Sequence, residues 1–181
     1  MVKFEYKGKT YLRYNDEWVN EHYEIAPLAV KADLDKMYAD SLVLDSYTTQ
    51  ELVRLADTFK GNESYYLAAK HYKEALMRGT IEECKFIYPR LTACLRKMNR
   101  AQEAVEMLTF IKQKYGLHMV TPVLLTSVAA AFCDLKQYDD ARKCYRMAVA
   151  KMNGNVSPEL MNVKKRIEKE EQERKKRNEM P

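Results

Sequence analysis

Three alanines recur at a nearly constant spacing and constrain the fold more than any other feature of the chain. Ala68, Ala104 and Ala141 lie 36 and 37 residues apart. The segments before them repeat large and small residues at matching offsets: Leu52, Leu55, Ala56 and Phe59; Tyr88, Leu91, Thr92 and Leu95; Leu125, Val128, Ala129 and Phe132. The segments after them repeat Tyr72 and Ala75, Leu108 and Ile111, and Tyr145 and Ala148. Within each segment the spacing is that of one face of an α-helix.

This pattern predicts pairs of packed helices that stack on one another. A small residue lets two helix backbones approach closely, and a large residue three or four positions on fills the neighbouring groove. One helical hairpin cannot bury its apolar face alone, and about three stacked hairpins complete a continuous core. We therefore expect a helical solenoid of three hairpins over residues 48–153.

The small/large pattern resembles the tetratricopeptide repeat (TPR). The third unit agrees best, at Ala129, Phe132, Tyr138, Ala141, Tyr145 and Ala148. The second unit departs, because Thr92 stands at the small position and Ile111 replaces the later alanine. The resemblance covers residues 49–152 and implies a mostly α chain, a TPR-like α-α superhelix of antiparallel helix pairs.

Capping signals predict where the helices begin and end. The N-terminal signals are capping boxes and Ser/Thr-Pro pairs, at Thr48/Glu51, Thr80/Glu83, Thr121-Pro122 and Ser157-Pro158. Glycines mark the helix ends, at Gly61, Gly79, Gly116 and Gly154. The predicted helices span 49–60, 64–78, 81–98, 100–115, 122–135, 138–152 and 158–175.

Pro89 falls inside the helix predicted over residues 81–98. A proline in a helix interior removes a hydrogen bond and costs about 3 kcal/mol or kinks the rod. Two interpretations follow: residues 81–87 form a separate short turn, or the helix bends at Pro89.

The N-terminal segment, residues 1–24, has a different period from the rest. Val2, Phe4 and Tyr6 alternate with polar residues, which predicts a strand, and Gly8 supplies a tight turn into a second strand. The chain turns again before Trp18. We expect a short β-hairpin that either caps the open end of the solenoid or binds a ligand. Residues 25–47 are expected to be a linker with a helix, beginning near Pro27, that packs on the first repeat.

The sequence of the C-terminal segment, residues 154–181, predicts a helix whose first part is amphipathic and whose second part is almost wholly charged. Leu160, Val163 and Ile167 form an apolar stripe that can cover the exposed end of the third repeat. The residues that follow are almost all charged, including the run 174–177, Arg-Lys-Lys-Arg. This run is either a solvated end or a contact for nucleic acid or an acidic partner.

Charge and cysteine usage bear on the partner and on the cellular compartment. Residues 48–153 carry 17 Lys/Arg against 11 Asp/Glu, which indicates an acidic partner or simply a well-solvated surface. The cysteines, Cys84, Cys94, Cys133 and Cys144, form no CxxC pair or regular disulfide spacing. The N-terminus is too polar for a signal peptide, and no stretch is apolar enough to span a membrane. These features predict a cytoplasmic protein without membrane partners.

Catalytic and metal-binding signatures are missing from the sequence. His22, His71 and His118 are far apart, and none lies in HExxH or in a Cys/His metal spacing. No GxxxxGK[ST], GxGxxG or GxSxG occurs. We expect no enzymatic activity, no cofactor and no metal.

In the TPR family, the first helix of each repeat lines a concave surface that binds peptides. The resemblance implies a peptide-binding groove whose side chains are Gln50, Arg54, Asp57 and Lys60; Arg90, Ala93, Arg96 and Lys97; and Thr126, Ser127, Ala130 and Asp134. The predicted function is a protein–protein interaction module or adaptor that binds a protein segment, with an acidic one favoured by the basic middle helix. Self-association through the repeat ends is a further form of it. The alternative is a nucleic-acid-binding protein that uses its basic surface.

One branch of the family clamps the C-terminal carboxylate of chaperones with Lys and Asn in the groove of the first repeat. The matching positions in this chain are Val53 and Asp57. This departure argues against a chaperone clamp and leaves an acidic or amphipathic segment as the predicted ligand.

Overall fold

A small sheet and a series of helices make up the computed structural model, which describes residues 2–116, 120–152 and 156–178. The strands are β1 (Val2–Tyr6), β2 (Lys9–Tyr14) and β3 (Glu17–Asn20). The helices are α1 (Leu28–Ser41), α2 (Thr49–Gly61), α3 (Tyr65–Arg78), α4 (Ile81–Lys97), α5 (Ala101–Tyr115), α6 (Pro122–Asp134), α7 (Tyr138–Lys151) and α8 (Pro158–Asn178). Helices α2/α3, α4/α5 and α6/α7 pack as three successive hairpins, which confirms the predicted fold class.

The predicted capping boxes form at α2 and α4. The Thr48 side chain accepts a hydrogen bond from the Glu51 amide at 3.3 Å, and the Glu51 carboxylate accepts one from the Thr48 amide at 2.8 Å. The same pair of bonds joins Thr80 and Glu83. Each box satisfies backbone donors that a helix start would otherwise leave unpaired, so these ends are set by local sequence. The predicted break at Gly154 lies outside the described residues.

Helix α4 is continuous through Pro89. The interpretation that residues 81–87 form a separate turn is therefore wrong. The remaining hydrogen bonds and the burial of Ile87, Tyr88 and Leu91 on either side of Pro89 outweigh the bond that it removes.

The three register alanines lie in the core. Ala68, Ala104 and Ala141 are all fully buried, as the repeat pattern predicts. At the second unit, the Tyr88 hydroxyl donates to the Ala104 carbonyl oxygen at 2.8 Å. The close approach that an alanine allows therefore also brings a buried phenol within reach of a backbone acceptor.

The N-terminal sheet has three strands in the order β1-β2-β3, all antiparallel, rather than two. Lys7 and Gly8 have positive φ in the first turn, and Asn15 and Asp16 have φ of 48° and 65° in the second. Asn and Asp tolerate this left-handed conformation, so the chain reverses tightly and β3 pairs with β2. The predicted hairpin is thus part of a three-stranded meander.

A buried polar cluster joins this sheet to the helices. The Trp18 indole N–H donates to Asp35 of α1 at 2.8 Å, and Arg13 of β2 and Lys31 of α1 approach the same carboxylate at 3.4 and 3.1 Å. Lys31 also donates to Ser64, before α3, at 2.8 Å. The side chains of all three charged residues are largely buried. Asp35 therefore ties the sheet to α1, and Lys31 links this cluster to the first repeat through Ser64.

Helix α8 packs on the third repeat with one face. Val163 and Ile167 cluster with residues of α6 and α7, including Ala130 and Ala141. Leu160 packs with Leu125 and Ala148. Beyond Ile167 the helix continues to Asn178, three residues past its predicted end, and its side chains there are mostly exposed. Charged pairs such as Lys169–Glu173, four residues apart, support this solvated part.

We expect Thr92→Val to raise the free energy of unfolding by about 1 kcal/mol. The Thr92 hydroxyl is buried and has no hydrogen-bond partner among the described residues, so valine removes an unsatisfied group and keeps the shape. The matched control is Thr126→Val, because the buried Thr126 hydroxyl donates to the Pro122 carbonyl oxygen at 2.9 Å. Urea denaturation compares the two, and a loss of stability in Thr92→Val contradicts the assignment.

We expect Asp35→Asn to lower the free energy of unfolding by about 3 kcal/mol, because it leaves buried Lys31 without a counter-ion and buried Arg13 with only the exposed Asp16. Asp40→Asn, an exposed position on the same helix, should change stability by less than about 0.5 kcal/mol. Chemical denaturation followed by Trp18 fluorescence measures both, and equal effects would show that the cluster does not hold the sheet.

Candidate functional site

The first helices of the repeats share a face that carries a basic cleft. The cleft has a volume of about 670 Å³ and lies between α2, α4, the α6–α7 turn and α8. Its basic side chains are Lys60, Arg96, Lys97, Lys136 and Arg166. The single carboxylate among its lining residues is Asp134. Tyr65, Ala93, Leu135 and Tyr138 supply apolar surface. We call this set of residues the basic cleft.

Two arginines from different helices meet at Asp134. Arg96 of α4 donates to Asp134 through Nε and, at 3.4 Å, through Nη2. Arg166 of α8 donates to Asp134 Oδ1 at 2.7 Å and to the Ala130 carbonyl oxygen at 3.5 Å. Burial alone would raise the pKa of Asp134, but the two guanidinium groups outweigh it and hold the pKa below its usual value.

The structure brings five of the predicted groove residues together in the basic cleft. These are Lys60, Ala93, Arg96, Lys97 and Asp134. Helices α4 and α6 pack directly against each other, so residues 38 positions apart in the chain, Arg96 and Asp134, form an ion pair.

Two smaller cavities extend the same face. The predicted residues Gln50, Arg54 and Arg90 line a cavity of about 380 Å³ together with Phe86, which is 66% exposed. Arg90 approaches Asp57 at 3.6 Å across α2 and α4. Ser127 lines a cavity of about 420 Å³ together with Val123, which is also exposed.

Thr126 and Ala130 were expected to face a ligand, but they are 7% and 9% exposed. Thr126 turns its hydroxyl back to the Pro122 carbonyl, and α8 covers Ala130. Both residues contribute only to the floor of the cavity beside Ser127.

Sequence reasoning missed Lys136 and Arg166. Lys136 lies in the α6–α7 turn with φ of 59°, and Arg166 belongs to α8, which the sequence suggested only as a cap. Phe86 and Val123 were missed as well, because the repeat pattern describes the packed face and assigns no role to exposed apolar residues. A possible signal was their helical spacing from the predicted groove residues Arg90 and Ser127.

The described residues show no assembled metal centre, and the histidines lie apart. His71 is buried and its Nδ1 lies 2.8 Å from the Leu67 carbonyl oxygen, while His22 is exposed. His118 lies outside the described residues. No group of three His, Cys, Asp or Glu side chains in the described ranges is arranged to hold a metal ion. None of the described helices combines the length and apolar character needed to cross a bilayer.

Stacked antiparallel helix pairs with a shared face of first helices define a TPR-like fold. The structure is similar to the Sgt2 TPR domain from Aspergillus fumigatus, with a TM-score of 0.62, 14% identity, and coverage of 74% of this chain and 85% of that chain. It is also similar to the Arabidopsis OM64 TPR domain, with a TM-score of 0.53, 17% identity, and coverage of 68% and 96%. No family model and no curated protein matches the sequence. At these identities, the similarity concerns the fold.

Burial of His71 predicts a pH dependence of stability. Burial lowers the pKa of His71, so the neutral form is preferred in the folded state. The unfolded chain then binds the proton first, and the free energy of unfolding should fall as the pH drops below about 6.5 until the lowered pKa is reached. His71→Phe should reduce this slope between about pH 7 and 5.5, and His22→Gln should keep it. Urea titrations at several pH values test this, and an identical slope in His71→Phe would contradict it.

Proposed function

We propose that this chain is a protein-interaction module, an adaptor that holds an acidic segment of another protein against the face of α2, α4 and α6. The observation that carries this proposal is the composition of the basic cleft. Five cationic side chains and one carboxylate line it. Such an excess of one sign attracts the opposite charge and speeds association.

Three lysines of the basic cleft are available to a ligand. Lys60, Lys97 and Lys136 make no salt bridge within the described residues, whereas Arg96 and Arg166 both pair with Asp134. The ammonium groups of these three lysines can therefore bind carboxylates of a partner without breaking an existing ion pair. This availability supports an acidic ligand.

The dimensions of the face suit a short extended peptide. Packed helices lie about 8–10 Å apart. Helix α4 packs on α6, and α2 reaches α4 through the Arg90–Asp57 pair, so the three helices together span at least roughly 16–20 Å. An extended chain covers this distance with about six residues at ~3.3 Å each. Exposed Phe86 and Val123 lie on the same face and add apolar contacts. A protein segment that combines carboxylates with apolar side chains matches this surface.

A protein ligand is favoured over nucleic acid by the charges on this face. The ion pairs Arg90–Asp57 and Arg96–Asp134 divide its positive charge into separate patches, which suits a short acidic segment better than a continuous phosphate backbone. The basic run at residues 174–177 begins about 12 Å along α8 from Arg166 and ends about 16 Å from it, at ~1.5 Å per residue, and so does not extend the basic cleft. Within it, Arg177 pairs with Glu170 at 2.8 Å.

A cytoplasmic location belongs to the same proposal. The four cysteines are free, and three of them are buried. Free thiols are typical of reducing compartments.

A fluorescein-labelled hexaglutamate peptide tests the proposal by fluorescence anisotropy. In the double variant Lys60→Glu/Lys97→Glu, two attractive charges become repulsive, and we expect Kd to rise at least about tenfold, which corresponds to ~1.4 kcal/mol. The control Lys73→Glu/Lys151→Glu makes the same charge change at exposed positions outside the basic cleft and should leave Kd within about twofold.

Equal loss of affinity in both double variants would show that only net charge matters and would refute the assignment of the site. Hexathymidylate serves as the competing probe. If it binds the unmodified protein more tightly than hexaglutamate does, with a steep salt dependence, the nucleic-acid alternative replaces the protein ligand.

A further inference from the structure

Asp134 holds an unusual position in the basic cleft. It is the last residue of α6, where the helix dipole disfavours a negative charge. Burial also works against its ionised form, and two guanidinium groups from α4 and α8 maintain it. Asp134 is the one carboxylate among the residues that line the basic cleft. Both arginines of the basic cleft, Arg96 and Arg166, bind it.

The ion pairs at Asp134 are accessible to a ligand. The side chains of Arg96, Asp134 and Arg166 are 32%, 29% and 36% exposed. Partly exposed ion pairs exchange partners with little loss of free energy, because water and other carboxylates replace the lost contacts. A carboxylate that enters the basic cleft therefore competes with Asp134 for the same two guanidinium groups.

We propose that Asp134 is a specificity-determining residue, an internal competitor that occupies the place of a ligand carboxylate between Arg96 and Arg166. This inference rests on the proposed function of the basic cleft. While Asp134 holds the two arginines, Lys60, Lys97 and Lys136 supply the attraction for a ligand. An isolated carboxylate gains little from displacing Asp134. A segment with several adjacent carboxylates binds the lysines first and then displaces Asp134 at high effective concentration. The basic cleft therefore selects clustered acidic residues over single ones.

The variant Asp134→Asn tests this inference with the hexaglutamate probe. Asparagine keeps the size of the side chain and removes its charge, so both arginines become available and one repulsive charge is lost. We expect the probe to bind about three- to tenfold more tightly, the range that two unit charges about 4 Å apart give when water screens them. A monoglutamate probe is fluorescein-labelled Gly-Gly-Glu-Gly-Gly with an amidated C-terminus. Its affinity should increase by a larger factor in Asp134→Asn than the affinity of hexaglutamate does, because the selection against single carboxylates is removed.

Asp139→Asn is the matched control. Asp139 is exposed in the first turn of α7, outside the basic cleft, and pairs with Arg142 at 2.7 Å. The substitution Asp139→Asn makes the same change of net charge as Asp134→Asn and should leave the affinity for the probe within about twofold. Equal gains in Asp134→Asn and Asp139→Asn would overturn the inference, because they would reflect net charge alone.

A double-mutant cycle with Arg96 separates competition from a structural role. If Asp134 occupies Arg96, then Arg96→Gln should weaken the probe by less than about twofold in the unmodified protein. The same substitution in the Asp134→Asn background should abolish most of the gain. A purely structural ion pair would show the opposite, with both single variants weakening the probe.

Lys97→Gln provides a test that survives misfolding of Asp134→Asn, which circular dichroism would reveal. The inference requires Lys97→Gln to weaken the probe more than Arg96→Gln does, since Lys97 has no counter-ion among the described residues. The reverse order overturns it. If Lys60→Glu/Lys97→Glu weakens the probe but Asp134→Asn does not strengthen it, the inference fails and the proposed function stands. If the lysine variants have no effect, the proposed function itself fails.

Discussion

Close packing of helices at small residues underlies every other feature of this molecule. Ala68, Ala104 and Ala141 are fully buried in the core between packed helices, and a larger side chain at these positions would separate the backbones. Because the hairpins stack at this short distance, α2, α4 and α6 lie side by side and present one continuous face. The ion pairs Arg90–Asp57 and Arg96–Asp134, which join neighbouring repeats, exist only because of that stacking.

The two ends of the solenoid are closed by different physical means. A stack of repeats leaves an apolar surface at each end that must be covered. At the N-terminal end, the sheet and α1 form their own aromatic cluster around Trp18 and hold together through the ion pairs of Asp35 with Arg13 and Lys31. They are joined to the first repeat by the packing of α1 on α3 and by the Lys31–Ser64 hydrogen bond. At the C-terminal end, α8 covers the third repeat by apolar contact through Val163 and Ile167.

The capping of the third repeat and the geometry of the basic cleft are linked at the C-terminal end. The helix that covers the third repeat also brings Arg166 to the face of the first helices, one residue before buried Ile167. The geometry of the basic cleft therefore depends on how α8 packs. Loss of that packing would expose the third repeat and remove one of the two arginines that bind Asp134, so stability and the proposed specificity share a structural origin.

Local sequence determined the helices, because their signals act over one or two turns. The spacing of apolar residues, the boxes at Thr48 and Thr80 and the glycine breaks predicted the repeat helices to within one or two residues of their observed ends. The third strand was not predicted as such, since β3 has four residues and is stabilised by pairing with β2 rather than by its own pattern. Tertiary structure alone decided the site: it buried Thr126 and Ala130 and brought Lys136 and Arg166 beside Lys60 and Arg96. Contacts between residues more than 30 positions apart, such as Arg166 with Asp134, depend on how helices pack, and no local pattern encodes that distance.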